Sequence, residues 1–204
     1  MGESDLDRGR TFASIVRYYR RLHKSAPDPS AEPYRATELG VWATSRAAHV
    51  FSFFRRIDLA RFNLFLDLGS GDGIVTCIAA LFTRSIGIEV DQGLCRLAQR
   101  AARELQLSER AGFICGDYLE LPIWRSDCLY QYPDKPILVI ERALRDWRGA
   151  LLVYGPHFPP ETFLPVSRLQ CGREKLVLYR RRPLQAGEPE FNSNPTEGVM
   201  PRTI

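Results

Sequence analysis

The chain of 204 residues is long enough for one folded domain with a core, and 45% hydrophobic with 25% charged content is ordinary globular composition. No apolar run reaches the roughly 18 residues of a membrane-spanning helix. The N-terminal MGESDLDRGR carries no apolar signal segment, so a cytoplasmic protein with no membrane partner is expected. The formal charge is a mild +4, yet 25 of the 28 basic residues are arginine. They cluster at Arg8, Arg10, Arg17, Arg20, Arg21 and Lys24 and again at Arg173, Lys175, Arg180, Arg181 and Arg182, which fits either solvated faces or a surface for nucleic acid or acidic protein. Cys77, Cys95, Cys115, Cys128 and Cys171 form no C-x-x-C pair and read as reduced, small core residues. His23, His49 and His157 are unclustered and offer no metal site.

Phe12, Ile15, Val16, Tyr19 and Leu22 recur at helical spacing and predict an amphipathic helix over about 10–24. Three prolines between Ser25 and Pro33 break it. A second helix is expected from Thr37 as N-cap, with Leu39, Trp42, Ala43, Val50, Phe53, Phe54 and Ile57 on one face. Its segment Tyr34 to Trp42 is a candidate lid. Strands then alternate with helices: Leu64–Leu68, a helix over Ile74–Thr83, Ser85–Asp91, a helix over Gln92–Leu105, Gly112–Asp117 and Asp127–Tyr132. A helix opening at Pro133–Pro136 with Asp134 as cap follows, then the strand Ala150–Tyr154. Val166–Gln170 and Lys175–Arg180 close the pattern as a hairpin. The expectation is a Rossmann-like, doubly wound α/β fold. Its mostly parallel seven-stranded sheet ends in an antiparallel hairpin and carries an N-terminal helical extension. The domain limits are then 1–60 for the extension, 61–182 for the core and 183–204 for a flexible tail.

The chain is organised around Leu64-Phe-Leu-Asp-Leu-Gly-Ser-Gly-Asp-Gly73, a strand-to-helix turn with glycines at alternate positions. Glycine lets a ligand approach the backbone, and the first amides of the next helix lack intrahelical partners. In such sheets ligands bind beyond the C-terminal strand ends. Three successive strands end in acids: Asp67, Glu89 and Asp117. A dinucleotide fingerprint needs glycine at 74, where isoleucine stands, and no lysine follows as in a phosphate-binding loop. Taken singly, Glu89 or Asp117 has the lesser alternative of a helix cap, and Asp91 reads as the cap of the helix after Glu89.

Asp67-Leu-Gly69-Ser70-Gly71-Asp-Gly73, the acid Glu89 and the pair Gly116-Asp117 together resemble the class I S-adenosylmethionine-dependent methyltransferases over about residues 64–181. The resemblance implies the cofactor S-adenosyl-L-methionine and transfer of its methyl group. It places Asp67, Gly69, Ser70, Gly71 and Gly73 against the methionine part, Glu89 at the ribose hydroxyls, and Asp117 with the Tyr118 amide at the adenine. A sulfonium and an ammonium with no phosphate suit an acid-bordered turn. The wording LDLGSGDG and the short chain are also similar to small protein-lysine methyltransferases.

The acceptor side is expected at Gln131-Tyr132-Pro133-Asp134. This departs from the [ND]-P-P-[YF] pattern of amide-base methyltransferases and leaves base methylation in doubt. Tyr130, Tyr132 and Asp134 are candidates to orient an amine, or else one or two rings packed in the sheet and a helix cap. His157 is a candidate base, or incidental in its proline-rich loop. A nitrogen on a protein, a lysine above all, is the expected acceptor. RNA, a small molecule, or no turnover at all on a binding protein of the same fold are the alternatives.

Overall fold

The computed structural model describes residues 3–24, 34–37, 40–43, 46–155 and 157–181, so the expected tail at 183–204 lies outside the described residues. Helix α1 (Glu3–Lys24) begins seven residues before its expected start. Gly9 has no neighbour that a side chain would meet, and at about 1 kcal/mol its conformational cost does not end the helix. Ile15 and Tyr19 of the expected face are buried.

The helix expected from Thr37 is not formed. Strands β1 (Tyr34–Thr37) and β2 (Gly40–Ala43) pair antiparallel, with Thr37 opposite Gly40. Tyr34, Thr37, Val41 and Trp42 are residues that strands favour, and a glycine inside the segment weakens a helix, so strand pairing outweighs the helical spacing read there. Helix α2 (Ala47–Arg56) starts ten residues after Thr37 and buries Val50, Phe53 and Phe54 as expected.

The alternating region forms β3 (Leu64–Leu68), α3 (Ile74–Ala79), β4 (Arg84–Glu89), α4 (Gln92–Glu104), β5 (Ala111–Cys115) and β6 (Cys128–Gln131). It continues with α5 (Leu138–Ala143), β7 (Ala150–Tyr154), β8 (Phe163–Cys171) and β9 (Glu174–Arg181). The sheet order is β5-β4-β3-β6-β7-β9-β8. The five strands β3 to β7 are parallel, and β9 joins β7 and β8 antiparallel. The chain leaves β3 toward β4 and β5, then returns to its other side at β6. The glycine turn therefore stands at the reversal of strand order, where a crevice opens at the strand ends.

Helix α5 is much shorter than the helix expected there. Its N-cap is Ile137, with no side-chain cap, and Asp134 is exposed ahead of it. Pro133 and Pro136 each push the preceding residue out of helical geometry, so the helix starts only beyond them. Cys77, Cys95 and Cys128 are buried as expected, whereas Cys115 is exposed and Cys171 half-buried; all five are free thiols.

Two apolar clusters fill the layers. One joins Ile15 and Tyr19 of α1 and Phe53 and Phe54 of α2 to α3, Ala101 of α4 and one sheet face through Phe65, Tyr130 and Tyr154. The other joins Leu66, Leu68, Ile88 and Leu129 on the opposite face to Ile140 of α5 and Trp147. Alternate residues of β3 thus feed opposite cores, as the two-residue strand period requires.

Gly73 fixes the distance between turn and helix α4. It lies at φ 85°, and a Cβ there would stand 2.7 Å from Ala98 Cβ and from the Phe113 ring. Gly73→Ala is expected to lower stability in urea by about 2–4 kcal/mol, from overpacking added to left-handed strain. Gly69→Ala, whose Cβ would meet nothing within 4 Å, should cost only the strain of about 1–2 kcal/mol.

Candidate functional site

Gly69, Gly71 and Gly73 all have positive φ, at 77°, 57° and 85°. The Gly69 and Ser70 amides both donate to the Ile88 carbonyl, at 2.9 and 3.0 Å, which ties the turn to β4. The glycines divide their work: Gly73 packs against α4, while Gly69 faces open space. Ser70 Oγ is buried with no hydrogen-bond partner.

Asp67 is 2% exposed, and its Oδ2 accepts from Thr76 Oγ1 at 2.7 Å. Burial pushes its carboxyl up to about 7; the Thr76 hydrogen bond opposes this, and the nearby Glu89 and Asp72 charges add to it. Glu89 ends β4 as expected and accepts from the Gly71 amide at 2.8 Å and the Asp91 amide at 2.9 Å. Asp91 caps α4 through the Leu94 amide at 2.9 Å. Asp117 is exposed and accepts from the Leu119 amide at 2.8 Å, capping a single turn at Tyr118–Glu120. Burial raises the Tyr118 phenol, helped by Asp117 and then Asp134, so the acid after β6 lies close enough to act on the ring after β5.

Three residues of the site were missed by sequence reasoning. His23 Nε2 lies 2.7 Å from Asp72 Oδ2, and Tyr19 donates to the Asp72 carbonyl at 2.9 Å. Helix α1 therefore grips the glycine turn from behind, although His23 showed no partner in the sequence. The legible signal was the pair's spacing of four, which puts Tyr19 and His23 on one helical face, together with an acid set between two glycines. Thr76, in the first turn of α3, also went unremarked.

At the end of β6, Gln131 pairs in register with Leu68 on one side and Val153 on the other. Its side chain is 7% exposed and its Oε1 has no hydrogen-bond partner. The Tyr132 ring, 38% exposed, lies 4.9 Å from the Tyr154 ring and against Gly155. Burial and the neighbouring Glu174 hold the Tyr154 phenol well above its ordinary value. His157 is exposed beyond Gly155, and no hydrogen bond or ion pair joins it to another described residue.

Three carboxylates, of Asp67, Asp72 and Glu89, thus border one turn, and among the described residues only Asp72 has a basic side chain in contact. A ligand bringing positive charge and no phosphate satisfies Asp67, whose proton is otherwise retained near neutrality. S-adenosyl-L-methionine fits this donor set, the open face of Gly69 and the orphaned Ser70 hydroxyl.

The family model described as histone methylation protein DOT1 matches residues 25–113, somewhat under half of the chain. Among solved structures, an RNA methyltransferase from Salinibacter ruber in complex with S-adenosyl-L-homocysteine superposes with TM-score 0.60 at 21% identity, covering 72% of this chain and 100% of that one. A methyltransferase from Geobacter sulfurreducens gives TM-score 0.57 at 15% identity, covering 85% and 89%. The mitomycin 7-O-methyltransferase MmcR gives 0.53 at 16%, covering 66% and 53%. The chain has the fold of these methyltransferases. No curated protein sequence matches it.

That fold, with its mixed sheet and terminal hairpin, is the one expected from the glycine turn, and the Salinibacter ruber structure holds the demethylated form of the donor those residues imply. Among the described residues no helix is long and apolar enough to cross a membrane, and no cluster of three His, Cys, Asp or Glu side chains has the placement to hold a metal ion.

The raised Asp67 carboxyl carries a pH signature. An acid whose folded value, about 7, exceeds its ordinary 3.8 adds stability that is fully present below 3.8, is lost as pH rises from there to 7, and changes no further above it. Between pH 5 and 8 the wild type should lose about 2–3 kcal/mol relative to Asp67→Asn, which has no proton to give up. Urea titrations of both proteins across that range check it; parallel pH profiles would refute the buried charge.

Proposed function

We propose that the protein transfers a methyl group from S-adenosyl-L-methionine to a nitrogen on a protein, the Nζ of a lysine. The carrying observation is Gln131 Oε1, a buried acceptor with no partner at the strand end beside the glycine turn. A buried carbonyl without a donor costs about 1–3 kcal/mol, which an incoming N–H removes. Support for a protein acceptor comes from the family model's description as a histone methylation protein.

When bound, the cofactor supplies a methyl on a sulfonium centre already activated for in-line displacement. In this reading Asp67, Gly69, Ser70, Gly71 and Gly73 hold its methionine end. Glu89 faces the ribose hydroxyls, turning from the Gly71 amide to do so, and Asp117 with the Tyr118 amide borders the adenine. Gln131 Oε1 accepts one N–H of the acceptor amine. The Tyr132 ring offers its face to the charged lysine before the proton leaves, and Asp134 and His157 stand at the rim to take that proton. Residues 61–182 form the catalytic unit and 1–60 its cover, with 34–42 as the lid. The five free thiols support a cytoplasmic location. The second reading, methylation of RNA, is favoured by the Salinibacter ruber structure's description as an RNA methyltransferase. A binding protein without turnover is disfavoured by the intact glycines and acids.

Calorimetry should show S-adenosyl-L-methionine binding that Asp67→Ala and Glu89→Ala each weaken at least tenfold; unchanged affinity in both removes the site assignment. In a lysate lacking the gene product, labelled methyl should enter protease-sensitive, nuclease-resistant material. Gln131→Ala should lower kcat/KM about a hundredfold while the cofactor affinity stays put, the loss of one charge-assisted hydrogen bond in the transition state. Nuclease-sensitive label would establish the RNA reading instead.

A further inference from the structure

The methyl donor's crevice is at the C-terminal ends of the parallel strands. The opposite end carries a second feature that methyl transfer does not use. Arg110 directly precedes β5, Arg84 opens β4, Arg61 precedes β3, Arg125 precedes β6 and Arg148 precedes β7. Arg180 lies near the end of the antiparallel β9, so it reaches the same edge and donates to the Arg148 carbonyl at 2.9 Å. In the order of the sheet these six arginines follow one another strand by strand. At about 4.8 Å per strand they line an edge about 24 Å long.

At its centre a cleft of about 570 Å³ is lined by Arg61, Trp124, Asp127, Trp147, Arg148 and Arg180 among others. Asp127 does not neutralise these arginines by contact: its oxygens accept from the Asn63 amide, Asn63 Nδ2 and the Leu64 amide at 2.8 to 2.9 Å. Neither ion pair found among the described residues involves Arg61, Arg148 or Arg180. The guanidinium planes of Arg61 and Arg180 sit 4.9 and 5.9 Å from the Phe62 ring centre. The Trp124 indole is 56% exposed at the cleft wall, held on a single turn at Ile123–Arg125.

We propose that this edge is a binding site for single-stranded RNA. Guanidinium groups spaced strand by strand meet successive phosphates, and an exposed indole beside planar guanidiniums is a platform for an unpaired base. An acidic peptide would use the arginines but leaves the indole without a purpose. The site is an anchor and not the acceptor pocket. The five residues of β3 separate it from the glycine turn by about 16 Å, so a base stacked on Trp124 does not reach the transferred methyl. It is independent of which nitrogen is methylated.

The test is fluorescence anisotropy of the full chain with a labelled oligouridylate of about twelve nucleotides, inside the usual range of site sizes. Binding should weaken at least about tenfold in Arg61→Glu/Arg148→Glu and about tenfold in Trp124→Ala, with cofactor affinity by calorimetry unchanged. The dependence of log affinity on log salt should flatten by about 1.4 in the double variant, two phosphate contacts at about 0.7 each. Arg61→Gln/Arg148→Gln keeps the question open to measurement if charge reversal unfolds the chain, as read by circular dichroism. Three outcomes overturn the proposal: no binding by the wild type, binding that all these variants leave intact, or equal competition by a polyglutamate peptide of similar length.

Discussion

The rest of the site depends on a carboxyl buried under a turn that only glycine forms readily. Asp67 is fixed by its strand to point into the space beneath Gly69 to Gly73, and Thr76 from the next helix is the hydroxyl that meets it. Three left-handed residues in five let the chain reverse within that short span while its amides stay bonded to β4 and to Glu89. The result is a negative site with most of its own donors already spent. Such a pocket discriminates by charge before it discriminates by shape, because an anion would meet the carboxylates while the Gly69, Ser70 and Gly71 amides are already bonded. The same reasoning separates it from phosphate-binding turns, which leave their amides open and add a lysine.

How far this was legible follows from range. The turn, the strand-end acids and the alternation of strands and helices are local patterns, and each survived folding with its ends shifted by a few residues. Asp91 capping α4 and Gly73 at the turn are decided by their immediate neighbours. The failures came where local preferences conflicted. Around Thr37 a helical spacing of apolar residues competed with strand formers and a glycine, and strand pairing won. After β6 two prolines shortened a helix whose apolar period ran on past them. The contact of His23 with Asp72 spans 49 positions and brings together two polar residues with no shared pattern. Each half leaves a local trace, the Tyr19–His23 spacing and the acid between two glycines, but no single window joins the two.

The two ends of the sheet differ in kind. The C-terminal ends carry Asp67, Glu89 and, just beyond β5, Asp117, while the N-terminal ends carry arginine after arginine. With a formal charge of only +4 over the whole chain, this separation and not the total shapes the field a partner meets. A polyanion approaching at random is turned toward the edge away from the glycine turn, and a cationic group toward the crevice. The arginine excess, ambiguous as composition, acquires meaning only from the sheet order that lines it up.

Helix α1 gains a different significance from its grip on Asp72. Tyr19 and His23 hold the back of the loop whose front receives the ligand, so the seating of the helix and the filling of the crevice share one short piece of backbone. Free-energy coupling runs equally in both directions. Whatever steadies the loop favours the seating of α1 by the same factor by which α1, in place, improves the hold on a ligand. The amide hydrogens of α1, far along the chain from the glycines, are therefore a clock for the state of the crevice.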